Sequence, residues 1–372
     1  MDLATHLVEL IGVPLGAEVD GARLIGVSTE LGLRYTFEAA GRTLWVEVAL
    51  ADGKSPFAAR EGQLCWSYRT DGDAVDPALG LRLCQSLATR SKTRQQAVLD
   101  AIAREAPRDS TRIREIRGGR LLELAGPSHQ RYLTVSPYVG CLIGCRFCYA
   151  QDRLADRRRL EGLPQVAWGS WVDVRVDAPA LLAAELATAP ALPIKFCPIV
   201  SDPYQAVESR YRLVRACLEV LREHPRPVLL LTRSNEIVHD IDILRTLPQV
   251  WAGLSIPTFD DDVRRHFEPR GAAIADRFAA LSSLRAAHIR TFAMVQPMLP
   301  GPIEPLADAL AETCESVRID VLHQTYGAAD DFARYADSAT NTWQLGHSAA
   351  LAEALGVRQI AIWPGELPAE LC

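Results

Sequence analysis

The chain has 372 residues, of which 48% are hydrophobic and 23% are charged, and its formal net charge at pH 7 is −6. This composition is typical of a globular protein with one large or two medium domains. No apolar run approaches the ~20 residues that a membrane-spanning helix needs, and the first residues lack the basic and apolar blocks of a secretory signal. We therefore expect a cytoplasmic protein with no membrane partner.

The nine cysteines do not indicate a disulfide framework, because their number is odd and all but three are scattered along the chain. A reducing compartment suits such free thiols. The negative net charge disfavours tight binding of duplex DNA, since neutralisation of phosphates supplies most of that affinity. Two short basic stretches, 112–120 and 153–159, leave nucleic acid disfavoured as a partner without excluding it.

The first region, residues 1–106, has the pattern of a separate α+β domain. Apolar alternation predicts strands at Leu24–Thr29, Leu33–Glu38 and Thr43–Ala51, and helical spacing follows over Leu81–Ala106. A basic and turn-rich composition predicts a linker over 107–129. Three roles stay open for this domain: it recognises a substrate, covers the next domain or holds a partner.

Strand-like and helical segments alternate over residues 130–325. Such alternation predicts an α/β fold with a parallel sheet and right-handed crossovers, and six units of this kind make a partial (β/α)6 barrel. Residues 326–372 are expected to form a C-terminal extension that packs on the barrel. The predicted strands are Leu133–Val135, Ile194–Val200, Val228–Leu231, Val250–Ile256, Arg290–Val295 and Arg318–Leu322, and the helices are Ala180–Ala187, Arg210–Arg222 and the stripe Ile274, Phe278, Leu281 and Leu284.

Three cysteines, Cys141, Cys145 and Cys148, follow the first of these strands in a C-x3-C-x2-C spacing. Three thiolates on one short loop can hold three irons of a [4Fe–4S] cluster, which leaves one iron without a protein ligand. A structural zinc site is the alternative, but zinc prefers four ligands, usually from two separated pairs. The sequence has no second C-x2-C, and residues 149–168 contain no histidine. One cluster per chain is therefore the favoured interpretation.

Chemistry in such barrels gathers at the carboxyl ends of the strands, and motifs at these ends carry a resemblance. The motifs are Pro137-Tyr-Val-Gly-Cys141 with the other two cysteines, Ser201-Asp-Pro-Tyr-Gln205 with Glu208, Leu231-Thr-Arg-Ser234 with His239-Asp240, Phe267-Glu-Pro269 with Arg277, and Gln296-Pro-Met-Leu-Pro-Gly301. Together they resemble the radical S-adenosylmethionine (SAM) superfamily, and within it the spore photoproduct lyase-like subfamily. Many members of that subfamily are labelled "DNA repair photolyase" by name only.

The resemblance implies a radical SAM enzyme with a [4Fe–4S] cluster and SAM as cofactors. In that superfamily the open iron binds SAM, and one electron, from a donor such as flavodoxin or ferredoxin, cleaves SAM to a 5′-deoxyadenosyl radical. A surface cap or a solvated charge is the plain alternative for each polar residue. The implied roles are cluster ligands for Cys141, Cys145 and Cys148, and SAM contacts for Phe147 (adenine), Ser201 with Asp202 (amino group), Arg233 (carboxylate) and Ser255 (ribose).

The resemblance assigns no catalytic residue, and three residues are candidates. Tyr149 and Tyr204 line the substrate side or simply pack. Glu268 touches substrate or, as we favour, forms a structural ion pair that orients Arg277 or a loop. The catalytic residue therefore stays unknown at this level.

One departure from the subfamily concerns the hydrogen donor. Spore photoproduct lyase uses a cysteine just before its Ser-Asp element, whereas Ile199 and Val200 stand there in this chain. Cys197 is out of register with that donor and is interpreted as a buried strand residue. Repair of a thymine lesion by the known route is therefore disfavoured.

The favoured function is radical chemistry on an organic substrate, which is a small metabolite, a natural-product precursor or a peptide. The alternative within enzymes is spore photoproduct lyase-like repair of a pyrimidine lesion in DNA. The alternative from another class is a non-catalytic iron–sulfur sensor or electron carrier. Strand-end motifs that hold SAM argue against that class, because a carrier does not need them.

Overall fold

The structure, a computed structural model, describes residues 3–29, 33–50, 59–61, 64–71, 76–105, 112–164, 166–197, 199–335 and 338–371. Within these ranges the chain forms a six-stranded, a three-stranded and an eight-stranded sheet. Helices alternate with the strands of the largest sheet. The mixed α/β content expected from the sequence is confirmed.

The N-terminal region is an antiparallel sheet with helices packed on one face. Alternate residues of its strands, such as Tyr35, Phe37 and Trp66, are buried with Leu83 of a helix in one apolar core. The strands are β1 (Glu18–Val19), β2 (Ala22–Ser28), β3 (Arg34–Ala39), β4 (Arg42–Leu50), β5 (Ala59–Glu61) and β6 (Leu64–Thr70), in the order β1-β2-β3-β4-β6-β5, and the helices are α1 (Leu3–Ile11), α2 (Pro77–Ser91) and α3 (Gln95–Glu105).

The three strands predicted in this region are present with slightly shifted ends, and β1, β5 and β6 come in addition. The single helix expected over Leu81–Ala106 is instead two helices, and its last residue lies outside the described ranges. The first helix ends at Ser91, whose hydroxyl donates to the Ala88 carbonyl at 2.8 Å. Such a bond from serine competes with the helical backbone.

The segment expected to be a linker, 107–129, contributes strands β7 (Ile113–Ile116) and β8 (Leu122–Ala125), so that expectation is wrong for these residues. β7 pairs in parallel with β11 (Val172–Arg175), which also pairs with β10 (Tyr138–Val139). The basic composition of this segment does not indicate an exposed linker, because Arg114 is buried and its Nε donates to Asp173 at 2.9 Å. A basic residue here is an interior ion-pair partner.

The eight-stranded sheet has the order β17-β16-β15-β14-β13-β12-β9-β8. From β9 to β17 neighbouring strands are parallel, and β8 is antiparallel to β9. All six predicted strands are found, although β12 ends before Val200 and β16 begins and ends earlier than predicted. Their bounds are β9 (Tyr132–Val135), β12 (Ile194–Phe196), β13 (Val228–Thr232), β14 (Val250–Ser255), β15 (Arg290–Val295), β16 (Ser316–Ile319) and β17 (Ala361–Ile362).

The predicted helix Arg210–Arg222 is interrupted at Arg212, which has a left-handed φ of 52°. The buried Glu208 carboxylate accepts the backbone N–H groups of Val214 at 3.1 Å and Arg215 at 3.3 Å, and so begins a second helix. None of the described helices is long and apolar enough to cross a membrane. The helices are α4 (Ala150–Leu160), α5 (Ala178–Leu186), α6 (Glu208–Tyr211), α7 (Leu213–Glu223), α8 (Ile241–Leu244), α9 (Asp261–Phe267), α10 (Ile274–Ala286), α11 (Ile303–Thr313), α12 (Ala329–Ala333) and α13 (Asn341–Val357), with 3-10 turns at Asn235–Asp240 and Ala369–Leu371.

Two segments distant in sequence pack against the large sheet. The N-terminal sheet is joined to it by an ion pair between Glu38 and Arg131, at 2.5 Å. Near the C-terminus, the Glu366 carboxylate accepts from Lys195 of β12 at 2.9 Å and from Arg318 of β16 at 3.2 Å. Both segments are thereby tied to the large sheet by ion pairs.

Candidate functional site

A cavity of about 630 Å³ lies where these parts meet. Its walls include the cysteine loop, the ends of β12, β13 and β15, the segment after β16, and residues of the N-terminal sheet. Of the residues singled out in the sequence, those that line it are Cys141, Cys145, Phe147, Cys148, Tyr149, Ser201, Asp202 and Arg233.

Glycines allow the cysteine loop to turn tightly between β10 and α4. Gly140 has φ +86°, and an added Cβ would lie 2.6 Å from the Trp171 ring. Gly144 has φ +70°, and its Cβ would lie 2.8 Å from the Arg270 guanidinium. Only glycine tolerates both the left-handed backbone and these close approaches. The loop is thus specified by its glycines as well as its cysteines.

The three thiols are in an apolar environment suited to a metal cluster. Burial raises the pKa of the Cys141 thiol to about 12, with a further contribution from Asp202, and burial also raises the pKa of Cys145 and Cys148. Thiolates at this place need a compensating positive charge, which iron supplies. The described residues contain no group of three His, Cys, Asp or Glu side chains that could hold a single metal ion. A [4Fe–4S] cluster takes each of three thiolates on a different iron, which is compatible with three thiols on one loop.

Gln205 connects the cysteine loop to the segment that follows β12. Its amide nitrogen donates to the Gly140 carbonyl at 3.1 Å and to the Ser201 hydroxyl at 2.7 Å, and its amide oxygen accepts from Leu142 N–H at 2.8 Å. The whole amide is buried. Gln205 therefore positions Ser201 relative to the cysteines, a role that the sequence reasoning does not assign to it.

Asp202 connects the same segment to the end of β13. One carboxylate oxygen accepts from Thr232 Oγ1 at 2.5 Å and Tyr204 N–H at 3.0 Å, and the other accepts from Arg233 N–H at 2.8 Å. Burial raises the pKa of Asp202 above its usual range, against the opposing effect of these bonds. Both oxygens are thus engaged in holding two strand ends together at the cavity wall.

Arg233 is positioned by a buried chain of charges. Its Nε donates to Glu268 at 2.7 Å, and the other Glu268 oxygen accepts from Arg277. Burial disfavours the charge of Arg233, but Cys145 and Glu268 outweigh that effect and raise its pKa. Burial likewise disfavours the Glu268 carboxylate, yet Arg277 and Arg233 lower its pKa. The chain therefore presents a permanent cation beside the cysteines.

Phe147 and Ser255, two further candidates for contacts with SAM, differ in position. Phe147 is buried at the cavity wall, with the Arg233 guanidinium 5.7 Å from its ring centre. Ser255 is fully buried at the end of β14 and does not line the cavity. Its hydroxyl has no hydrogen-bond partner in the described part of the chain. An orphaned buried hydroxyl at a strand end is compatible with a ligand contact but does not locate one.

Of the three catalytic candidates, the structure brings only Tyr149 to the cavity. Tyr204 is buried in the main core, where its hydroxyl donates to Asp240 at 3.1 Å, and it is not among the residues that line the cavity. Glu268 is fully buried between two arginines and also lies off the cavity wall. Cys197 is buried just after β12, as expected, and it also lines the cavity.

The sequence reasoning missed several charged residues of the cavity wall. Lys195 and Arg318 point inward from β12 and β16, and both bind Glu366. Arg34 and Trp45 come from the N-terminal sheet. Lys195 could have been singled out from the sequence, because it stands inside a short apolar strand and a buried lysine needs a partner.

A model of the radical SAM superfamily matches residues 135–312. Residues 135–312 of the chain are therefore a radical SAM domain. The matched range begins at the end of β9 and includes the three cysteines and the ends of β12 to β15. The superfamily implies a [4Fe–4S] cluster and SAM as cofactors.

Three relatives show how far the similarity extends. An uncharacterized protein of Methanocaldococcus jannaschii is 26% identical over 170 residues, which are 46% of this chain and 61% of that protein. An uncharacterized protein of Mycobacterium tuberculosis is 27% identical over 45% of this chain and 49% of its own length. A protein of Pseudomonas phage M6, named radical SAM Nalpha-GlyT isomerase, is 27% identical over 48% of this chain and 35% of its own. The chain thus spans about half the length of the curated relatives it matches.

Two solved structures show a distant likeness. A point mutant of spore photoproduct lyase has a TM-score of 0.48 and 14% identity, and covers 66% of this chain and 78% of its own. Streptococcus suis SuiB bound to S-adenosylmethionine has a TM-score of 0.41 and 12% identity, and covers 75% of this chain and 56% of its own. With both scores below 0.5, neither likeness bears on the site.

Proposed function

We propose that this protein is a radical SAM enzyme in which Cys141, Cys145 and Cys148 hold the cluster. Ser201, Asp202, Arg233, Phe147 and Ser255 are the proposed SAM contacts, and six of the parallel strands, β9 and β12 to β16, are proposed to form the partial (β/α)6 barrel around them. The observation that carries the proposal is that one cavity is lined by the three thiols together with Ser201, Arg233 and Phe147. When bound, the cluster and SAM supply a 5′-deoxyadenosyl radical.

The residues of the chain hold and orient these groups. Arg233 is kept charged and fixed by Glu268, so it can bind the SAM carboxylate through its remaining N–H groups. Gln205 and Asp202 fix the segment that carries Ser201. Such bonds formed before ligand binding reduce the ordering that binding requires.

The cavity also favours a small substrate. Its volume of about 630 Å³ is within the ordinary range for small-molecule sites, and the cluster and SAM would share it. A small metabolite, a natural-product precursor or one segment of a peptide fits this space. A non-catalytic electron carrier needs no such cavity beside its cluster.

Anaerobic reconstitution followed by reduction and addition of SAM tests the proposal. We expect 5′-deoxyadenosine and methionine in equal amounts, formed slowly without substrate. The variant with all three cysteines changed to alanine is the control and should form neither product. Methylthioadenosine as the sole product, or no cleavage by protein that contains a full cluster, would contradict the proposed reaction. Conversion of the spore photoproduct to two thymines would instead support DNA repair.

A further inference from the structure

The outer face of the N-terminal sheet forms part of the cavity wall. Tyr35 of β3 and Val46 of β4 are buried in the N-terminal core, and their neighbours Arg34 and Trp45 point the opposite way, as alternation along a strand requires. Arg34, Trp45 and Arg69 of β6 all line the cavity. The N-terminal domain therefore contacts whatever occupies the space beside the cysteine loop.

Two cations on the barrel side of this space, Lys195 and Arg318, are paired with carboxylates within the protein. Lys195 binds Glu366 at 2.9 Å, and Arg318 binds both Glu366 and Asp320 at 3.2 Å. On the N-terminal sheet, Arg69 has an ion pair with Glu47 at 3.3 Å. These groups leave little net charge for a ligand.

Arg34 differs from these cations. Its Nε is buried and has no hydrogen-bond partner among the described residues, so the two carboxylates that act on its charge, Glu47 and Glu123, do not bond to this atom. The guanidinium lies 5.5 Å from the centre of the Trp45 ring. Buried N–H donors of arginine are normally satisfied, because an unmet one costs about 1–3 kcal/mol. An acceptor from outside the protein would satisfy this one.

A second cation lies close to Arg34. Burial lowers the pKa of Arg34 to about 10, and the next largest contribution is the positive charge of Arg153. Arg153 itself lines the cavity from α4, with its guanidinium 4.9 Å from the centre of the Tyr149 ring. Two cations from different parts of the chain thus line one cavity, and an anion placed there would be attracted by both.

We propose that Arg34, together with Arg153, binds an oxyanion of the substrate, either a carboxylate or a phosphate, with Trp45 packing against the adjoining part of the molecule. This inference rests on the proposed function, because it takes the cavity as the substrate site. It assigns substrate recognition to the N-terminal domain and selects anionic substrates among the small molecules that the cavity can hold.

Equilibrium binding of inorganic phosphate and of malonate to the anaerobically reconstituted protein, at constant ionic strength, tests the proposal. We expect at least one of the two anions to bind, and Arg34→Gln to weaken its binding about tenfold or more, as for the loss of charge-assisted hydrogen bonds. The anion that binds more tightly identifies the oxyanion. Arg23→Gln, an exposed arginine of the same sheet outside the cavity, is the matched control and should bind as the wild type does.

Arg153→Gln provides a second variant from the other domain, and it should weaken the same anion. Circular dichroism checks the fold of each variant. Absence of binding of both anions to the wild type, or unchanged affinity in a folded Arg34→Gln protein, overturns the proposal. So does a loss of SAM affinity in Arg34→Gln, since that would make Arg34 a SAM contact. Failure of the wild type to cleave SAM, with anion binding intact, refutes the proposed reaction and not this site.

Discussion

The two sides of the cavity satisfy their polar groups in different ways. On the barrel side, Asp202 uses both carboxylate oxygens within the protein, and Arg233 is bound to Glu268. On the N-terminal side, Arg34 keeps a buried N–H without a partner. A wall whose polar groups are already bonded is rigid before any ligand arrives, whereas an unmet donor indicates where a ligand completes the structure. The comparison distinguishes the proposed cofactor wall from the proposed substrate wall.

The largest expected effect concerns the cluster itself. Changing Cys141, Cys145 and Cys148 to alanine together should abolish iron and sulfide binding, because no other cysteine lies on that loop. Cys197→Ala is the matched control, since Cys197 lines the same cavity and should not be a ligand. Iron and sulfide analysis after reconstitution measures both proteins. Near-stoichiometric iron in the triple variant would show that these three cysteines are not the cluster ligands.

The second effect tests how rigid the cofactor wall is. Glu268→Gln leaves Arg233 and Arg277 without their buried carboxylate, and should lower the free energy of unfolding by about 3–5 kcal/mol. Because the folded-state pKa of Glu268 lies below its ordinary value, its contribution is present above the unfolded pKa and is lost as the pH falls through the folded one. The difference between the two proteins should therefore shrink below about pH 4.

Urea unfolding at several pH values gives these free energies. Asp242→Asn is the control, since Asp242 is an exposed carboxylate paired with Arg215 and should cost under about 1 kcal/mol. A cost for Glu268→Gln as small as that of the control would show that the buried pair does not stabilise this wall.

The third effect concerns SAM. Arg233→Ala should weaken SAM binding by about 1.5–3 kcal/mol, the range for hydrogen bonds to charged groups. Equilibrium binding to reconstituted protein measures it, with Arg210→Ala, an exposed arginine of α6, as the control. If Arg233→Ala binds SAM as well as the control does, Arg233 is only the partner of Glu268.

The smallest expected effect concerns the binding of duplex DNA by the protein. Residues 1–100 contain 10 basic and 13 acidic side chains, so the N-terminal domain adds no electrostatic attraction for a polyanion. One oxyanion at Arg34 does not change this, because duplex binding needs several neutralised phosphates. We expect only weak, salt-sensitive binding in an anisotropy titration with damaged and undamaged duplex. Sub-micromolar, lesion-selective binding at physiological salt would favour the repair alternative.

The sequence predicts the cofactor wall better than the substrate wall, since the information for the former is local. The cysteine spacing lies within one loop, and the strands of the large sheet are continuous apolar runs. The role of Gln205 needs Gly140 and Leu142, which are 65 and 63 residues away. Arg34 is one charge on an alternating strand, and nothing near it in the sequence indicates that a second cation from another domain faces it. Tyr204 was a candidate from its motif, but its partner Asp240 is 36 residues away.

The Glu366 carboxylate also has a consequence for the order in which the protein folds. It joins Tyr132 across 234 residues and Lys195 across 171, so these bonds close very long loops. Contacts between residues so far apart in sequence form slowly, because the chain loses conformational entropy on closing the loop before the contact stabilises it. Lys195 therefore lacks this carboxylate until the segment after the last strand has been reached, whereas Arg318 also pairs with the neighbouring Asp320.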